Sequence, residues 1–378
     1  MTPEVFFSAL KKSGVKFFTG VPDSLLKDFC FLLDKKDHSE HIVAANEGTA
    51  LSLAIGHYLG SRSTPAVYFQ NSGLGNALNP LISLADKNVY QIPILLIIGW
   101  RGEPGSVDEP QHQAQGSITL PLLDVCGIPY IRLASGTSDN EIIAFVEQSS
   151  TADSGPFAIV VSKDGLSVKN EMTSSNEISS SQIDTVLTRA SAVKAITQGI
   201  NNKDIIVSTT GKLSRELLAI RESGVGAHAD FLCVGGMGHA SSISAGLAIS
   251  TPSRRIFCLD GDGALQMHLG SAATIGEVSP KNLFHFVFNN GTHDSVGGQS
   301  VTAPSINYQT LFRSFGYRHR FKAINTSELE KLLLFCNQND GPIFVEIKIM
   351  SGESDNLPRP IDSPITAKIK FQRFLNRD

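Results

Sequence analysis

The strongest constraint on this chain is an alternation that runs through it twice. Short apolar runs rich in β-branched and aromatic residues are separated by longer segments of helical period. In the first half the runs are VKFFTG, HIVAAN, PAVYFQ, IPILLIIG, IPYIRL and FAIVVS, with EGTALSLAIGHYLG and DNEIIAFVEQSS among the helical segments between them. The second half repeats the scheme with DIIVSTTG, FLCVGG, RIFCLDGD, LFHFVFNN, HRFKAIN and PIFVEIKIM. A strand that is apolar along its whole length has no face for water, so it belongs in a parallel sheet covered by helices on both sides. Between the halves, KDGLSVKNEMTSSNEISSSQ is polar, serine-rich and without apolar period, as a linker is. The expectation is an α/β chain with domains at 1–165 and 184–378 and a linker at 166–183. At 378 residues each half is large enough for a core of its own.

Composition narrows the function classes. A formal charge of −4 without a basic stripe speaks against nucleic acid as a partner. The cysteines Cys30, Cys126, Cys233, Cys258 and Cys336 lie far apart, which indicates neither a zinc knuckle nor a disulfide framework and suits a reducing cytoplasm. The start, MTPEVFFSALKKSG, has no basic region followed by an apolar run, and IPILLIIGW is far shorter than the roughly 20 residues a membrane helix needs. A cytosolic protein without a membrane segment is expected.

In open parallel sheets ligands bind beyond the carboxyl ends of the strands. Gly, Asn and Asp in any one such loop are ordinary turn-formers, but two loops here combine. RIFCLDGDG ends one strand with Asp260 and Asp262, and LFHFVFNNGT ends the next with Asn289, Asn290 and Gly291. Consecutive strands are often neighbours, so these loops should meet. A carboxylate, an amide oxygen and a backbone carbonyl make an all-oxygen site for a hard cation such as magnesium, which completes its shell with phosphate oxygens and water. Gly261 and Gly263 let the backbone approach a phosphate, and a helix starting near Ala264 adds its N-terminal dipole. The pair of loops is therefore read as a site for a metal diphosphate.

The spacing of GDG, residues 264–288 and NN resembles the signature of the thiamine diphosphate enzymes, here of the 2-oxoacid decarboxylase kind that the further segments below resemble. The resemblance implies two thiamine diphosphate-binding-fold domains, one gripping the pyrimidine and one the diphosphate, with no room for the third domain of longer members. It implies Mg2+ held by Asp262, Asn290 and the Thr292 carbonyl, and cofactor contacts from Gly211, Gly261, Gly263, Ala264 and Met237, the last propping the cofactor into its bent form. It also implies that Glu47, placed after a strand in HIVAANEGTALS, is the carboxyl group facing the pyrimidine. Partial burial would raise its pKa and let it hold a proton near neutrality.

Further segments, GVPDS, QNSGLGNALNPL, IGWRGEPGSVDEPQHQAQG, STTGKLSREL and NNGTHDSVGGQ, resemble the phosphonopyruvate decarboxylase branch of that family, with the sulfopyruvate decarboxylases nearest in chemistry. The implied reaction converts 3-phosphonopyruvate to phosphonoacetaldehyde and CO2. Arg101 could clasp the phosphonate with its planar fork, His112 and His293 could donate hydrogen bonds or protons, and Asp23 could relay a proton. The family also implies a homo-oligomer with sites at the subunit interface. A sulfopyruvate or other 2-oxoacid decarboxylase or carboligase differs only in pocket residues. A nicotinamide-dependent oxidoreductase would need a GxGxxG loop, and SGLGNAL places Leu78 at its third small position. A non-catalytic binding protein would have no need of Glu47.

Overall fold

The computed structural model describes residues 1–151, 154–166, 187–224, 230–352 and 357–376. It divides into two compact units, Met1–Glu177 and Ile178–Asp378. Apart from Leu166, the expected linker at 166–183 lies outside the described residues.

In the first unit six strands form one parallel sheet: β1 (Phe18–Gly20), β2 (His41–Val43), β3 (Ala66–Gln70), β4 (Leu95–Gly99), β5 (Tyr130–Leu133) and β6 (Phe157–Val161), ordered β2-β1-β3-β4-β6-β5. Alternation along each strand sends its side chains to two cores. Tyr68, Leu95, Ile97 and Ile159 pack on one face with Phe6, Phe18 and Phe29. Val67, Phe69, Leu96, Ile98 and Val160 pack on the other with Ala50, Leu51 and Ala54 from the helix Glu47–Ser61. Helices cover both faces, which is why the strands read as unbroken apolar runs.

The second unit repeats the plan with β7 (Ile205–Ser208), β8 (Phe231–Leu232), β9 (Ile256–Gly261) and β10 (Leu283–Asn289), a short antiparallel pair β11 (Thr292–His293) and β12 (Gln299–Ser300), then β13 (His319–Ala323) and β14 (Ile343–Lys348). Its main sheet is parallel with order β13-β14-β10-β9-β7-β8. Phe257, Leu259, Phe284 and Phe286 face one core, and Ile256, Cys258, Leu283 and Val287 the other. Only Phe231 and Leu232 of FLCVGG are strand; the two glycines that follow suit a turn, and the chain is irregular until the helix Ala240–Ser250.

The chain order reverses twice in each sheet, first near the middle and again where β6 inserts between β4 and β5 and β14 between β10 and β13. The chain leaves β1 for β2 on one side and returns to β3 on the other; it leaves β7 for β8 and returns to β9. Such switch points open a crevice at the carboxyl ends of the strands, because the flanking connections run apart. Among the described residues no helix is long and apolar enough to cross a membrane.

Candidate active site

At the switch point of the first unit lie Asp23, Glu47, Gly73, Asn76 and Arg101, each just beyond a strand end. Asn46 caps the helix Glu47–Ser61, its extended backbone aiming the side-chain oxygen at Thr49 N–H, 2.9 Å away. This fixes Glu47 as the first helical residue. Its carboxyl group is buried, with 5% of the residue exposed, and Oε2 accepts a hydrogen bond from Asn76 Nδ2 at 2.8 Å. Burial pushes its pKa above the usual carboxylate range, against the opposing pull of the Asn76 bond. Gly73 makes the pocket possible, since a Cβ there would run into Oε1, Cγ and Cδ of Glu47. The glycine that resembled part of a dinucleotide loop thus admits a carboxyl group.

Asp23 is fully buried. Its Oδ2 accepts from Leu25 N–H at 3.0 Å, and Oδ1 has no hydrogen-bond partner among the described residues. Burial raises its pKa to about 6, with the Leu25 bond and the charge of Arg101 opposing.

Arg101 differs from the expectation of an open fork. Nε and Nη2 both donate to Asp108, at 2.8 and 2.7 Å, and Nη1 donates to Ser24 Oγ at 3.0 Å. Asp108 also accepts from Gly102 N–H, Glu109 N–H and His112 Nδ1, at 2.9, 2.8 and 2.8 Å. A carboxylate can only accept, so His112 donates to Asp108 from Nδ1 and turns Nε2 the other way. The Arg101 interaction holds the Asp108 carboxyl well below the usual range. Asp108 is therefore the hub of the loop after β4, organising two residues expected to meet substrate. Its only trace in the sequence is the four-residue step to His112, which places the two on one side of a helix start.

In the second unit, the end of β9 at Gly261 separates the two acids of LDGDG, the first in the strand and the second opening a helix. Asp260 is fully buried, one oxygen bound to Gly261 N–H at 2.9 Å and the other 3.5 Å from His285 Nε2. Asp262 opens the helix Asp262–Met267, two residues earlier than Ala264, because its own Oδ1 accepts from Gly263 N–H at 2.9 Å and its Oδ2 from Gly291 N–H at 2.8 Å. The latter bond joins the GDG and NNG loops. Asn290 Oδ1 accepts from Thr292 N–H at 3.1 Å.

These groups suit a hard cation. Asp262, Asn290 and the Thr292 carbonyl are oxygen donors, and burial lifts the Asp262 pKa to about 6. A buried carboxylate carries a desolvation cost that a cation would offset. Glycines leave room beside it. A Cβ on Gly263 would lie 2.5 Å from His293 Cε1, and Gly211, at φ +100°, would bring one to 2.5 Å from Ser295 Oγ. His293 is held neutral, burial lowering its pKa to about 4 against the opposing charge of Asp294. Met237 is partly exposed in the turn before the helix Ala240–Ser250, and a Cβ on the adjacent Gly238 would meet Ala264 O at 2.9 Å. The loop carrying Met237 therefore lies against the short helix that follows Gly261. Asn76, Asp108 and Asp294, all bonded to expected site residues, were not foreseen from sequence, where each reads as a loop acid or amide.

The family model described as "Thiamine pyrophosphate enzyme, N-terminal TPP binding domain" matches residues 2–121, and "Thiamine pyrophosphate enzyme, C-terminal TPP binding domain" matches residues 227–347. A phosphonopyruvate decarboxylase of Streptomyces viridochromogenes is 33% identical over 373 residues, 96% of this chain and 92% of the relative. The chain belongs to the thiamine diphosphate-dependent decarboxylase family. A phosphonopyruvate decarboxylase of Streptomyces hygroscopicus is 32% identical over 96% of this chain and 90% of its own, and a sulfopyruvate decarboxylase of Methanosarcina acetivorans 26% over 99% and 97%. The N-terminal thiamine pyrophosphate enzyme match contains Asp23, Glu47, Arg101 and His112, and the C-terminal match contains Met237, Asp262, Asn290 and His293. Thiamine diphosphate is the cofactor of this fold.

Proposed function

We propose that this decarboxylase converts 3-phosphonopyruvate to phosphonoacetaldehyde and CO2, with Mg2+ and thiamine diphosphate. The observation that carries the substrate assignment is similarity at 33% identity to a phosphonopyruvate decarboxylase along nearly the whole of both chains. When bound, the cofactor supplies the nucleophilic carbon and the electron sink that loss of CO2 requires.

The chain's own residues hold and activate it. Asp262, Asn290 and the Thr292 carbonyl hold Mg2+ and through it the diphosphate. Gly211, Gly261, Gly263 and Ala264 let the backbone approach the diphosphate, and Met237 supports the cofactor from its turn. Glu47, whose carboxyl group burial pushes above the usual carboxylate range, faces the pyrimidine nitrogen and shares a proton with it. Asp23, with a pKa of about 6 and an Oδ1 that no described residue hydrogen-bonds, can take up or release a proton in the working pH range. Neutral His293 can donate one hydrogen bond without adding charge. His112 offers Nε2, and Arg101 reads the substrate's anionic end from the Asp108 clasp. The active form is a homo-oligomer in which Glu47 and Asp262 of different subunits serve one cofactor.

Sulfopyruvate is the second reading, since the Methanosarcina acetivorans sulfopyruvate decarboxylase aligns along 99% of this chain. Turnover of purified protein with phosphonopyruvate, sulfopyruvate and pyruvate, each at saturating Mg2+ and cofactor, decides. A kcat/KM for phosphonopyruvate at least tenfold above both others is expected; a higher value for sulfopyruvate would overturn the assignment.

A further inference from the structure

Asp294 lies four residues beyond Asn290, with 8% of its surface exposed. Both its oxygens are taken up. Oδ2 accepts from Asn290 Nδ2 at 2.7 Å and from Arg189 Nη1 at 3.0 Å, and Oδ1 accepts from Thr292 Oγ1 at 2.7 Å. Arg189 opens the helix Arg189–Gly199 and turns its other side to buried Glu216, with Nε 3.0 Å from Oε2 and Nη2 3.2 Å from Oε1. Glu216 stands on the helix Lys212–Glu222 that follows Gly211.

An asparagine amide can present either its oxygen or its NH2 to a site, and only its partners decide which. A carboxylate cannot donate, so Asp294 can bind only the NH2 end of Asn290. The Oδ1 end is thereby turned the other way, where it accepts Thr292 N–H and keeps a second lone pair. The same carboxylate grips the hydroxyl of Thr292, whose carbonyl is the third oxygen of the cation site proposed above. Asp294 thus anchors two of the three residues that supply the site's oxygens, Asn290 through its NH2 group and Thr292 through its hydroxyl, and Arg189 holds Asp294.

We infer that Asp294, clamped by Arg189, is a positioning residue that commits Asn290 and Thr292 to present oxygen to the divalent cation. It acts on the affinity of the site and not on the chemistry of the substrate. The inference rests on the reading of Asp262, Asn290 and Thr292 as the cation site.

The test is calorimetric titration of Mg2+ into metal-free protein containing excess thiamine diphosphate, paired with kcat at saturating Mg2+. Losing an outer partner of a metal ligand costs on the order of 10- to 100-fold in metal affinity. Asp294→Ala should weaken Mg2+ binding by at least tenfold while kcat at saturating Mg2+ stays within about threefold of the parent. Asp294→Asn keeps an acceptor for Asn290 but loses the ion pair with Arg189, and should fall between them; it also carries the test should the alanine variant fail to fold by circular dichroism. Unchanged Mg2+ affinity in either folded variant overturns the inference, as does a lost kcat with affinity intact, which would place Asp294 against the substrate. A parent protein that binds no Mg2+ with the cofactor would sink the site reading itself.

Discussion

Asp262 Oδ2 accepts a hydrogen bond from Gly291 N–H at 2.8 Å, closing a gap of 29 residues between the ends of two neighbouring strands. The bond brings the only carboxylate of the proposed cation site against the turn that carries its other two donors. Asp262→Ala should therefore abolish binding of Mg2+ and thiamine diphosphate, read by calorimetry, with an unchanged far-ultraviolet circular dichroism spectrum. Near-normal binding at ordinary Mg2+ would remove Asp262 from the site. Mixing inactive Asp262→Ala and Glu47→Gln chains under subunit exchange should restore part of the parent activity, because some mixed sites carry both native residues. No recovery, with mixed oligomers shown to form, would assign both residues to one chain's site.

Glu47→Gln keeps the shape of the side chain but has no titratable proton. It should bind cofactor and lose about 10²- to 10⁴-fold in turnover. Exchange of the thiazolium proton, followed by nuclear magnetic resonance, should slow in parallel; parent-like exchange would make Glu47 a bystander. Gly73→Ala tests the same group from outside. Its methyl would occupy the place of the Glu47 carboxyl group and push it off Asn76. Turnover should fall at least tenfold with little change in melting temperature, and an unaffected rate would mean that Glu47 need not sit where it does.

Asp23 gives a pH dependence with a definite sign. Its pKa is raised from the ordinary 3.8 to about 6 by burial, so the folded state holds the proton more tightly than the unfolded chain. The associated stability is fully present below pH 3.8 and is lost as pH rises through about 6, amounting to about 3 kcal/mol. Asp23→Asn is uncharged throughout. Urea unfolding of parent and variant at pH 4.5 and pH 8 should show the variant gaining relative stability at the higher pH. A difference independent of pH would mean that the carboxylate is solvated as it ionises.

Arg101 and Asp108 should behave as one unit. Arg101→Lys keeps the charge but loses the two-pronged contact, and Asp108→Asn loses the anion that receives it. Each should lower kcat/KM for phosphonopyruvate more than for pyruvate, and the double variant should be little worse than either single one. Additive losses would separate the two roles, and an equal fall for both substrates would confine Arg101 to supporting the loop.

Much of this architecture is legible in the sequence because it depends on local pattern. Unbroken apolar runs such as IPILLIIG and LFHFVFNN can only be buried on two faces, which selects a parallel sheet under helices, and Asn46 followed by Glu47 marks a helix start by capping chemistry alone. The meeting of Asp262 with Gly291 follows from chain order, since β9 and β10 are successive. What local pattern does not contain is which polar side chain satisfies which. Asp23, Asp108, Asp260, Asp262 and Asp294 look alike as loop or strand-end acids, yet among the described residues Asp23 and Asp260 each keep an oxygen without a hydrogen bond, the latter in a core beside His285, while Asp108 binds five donors. Those differences arise from burial and from partners far away in the chain, such as Arg189 for Asp294. A carboxylate's charge, proton affinity and direction are set by its surroundings in space, so only the tertiary structure decided them.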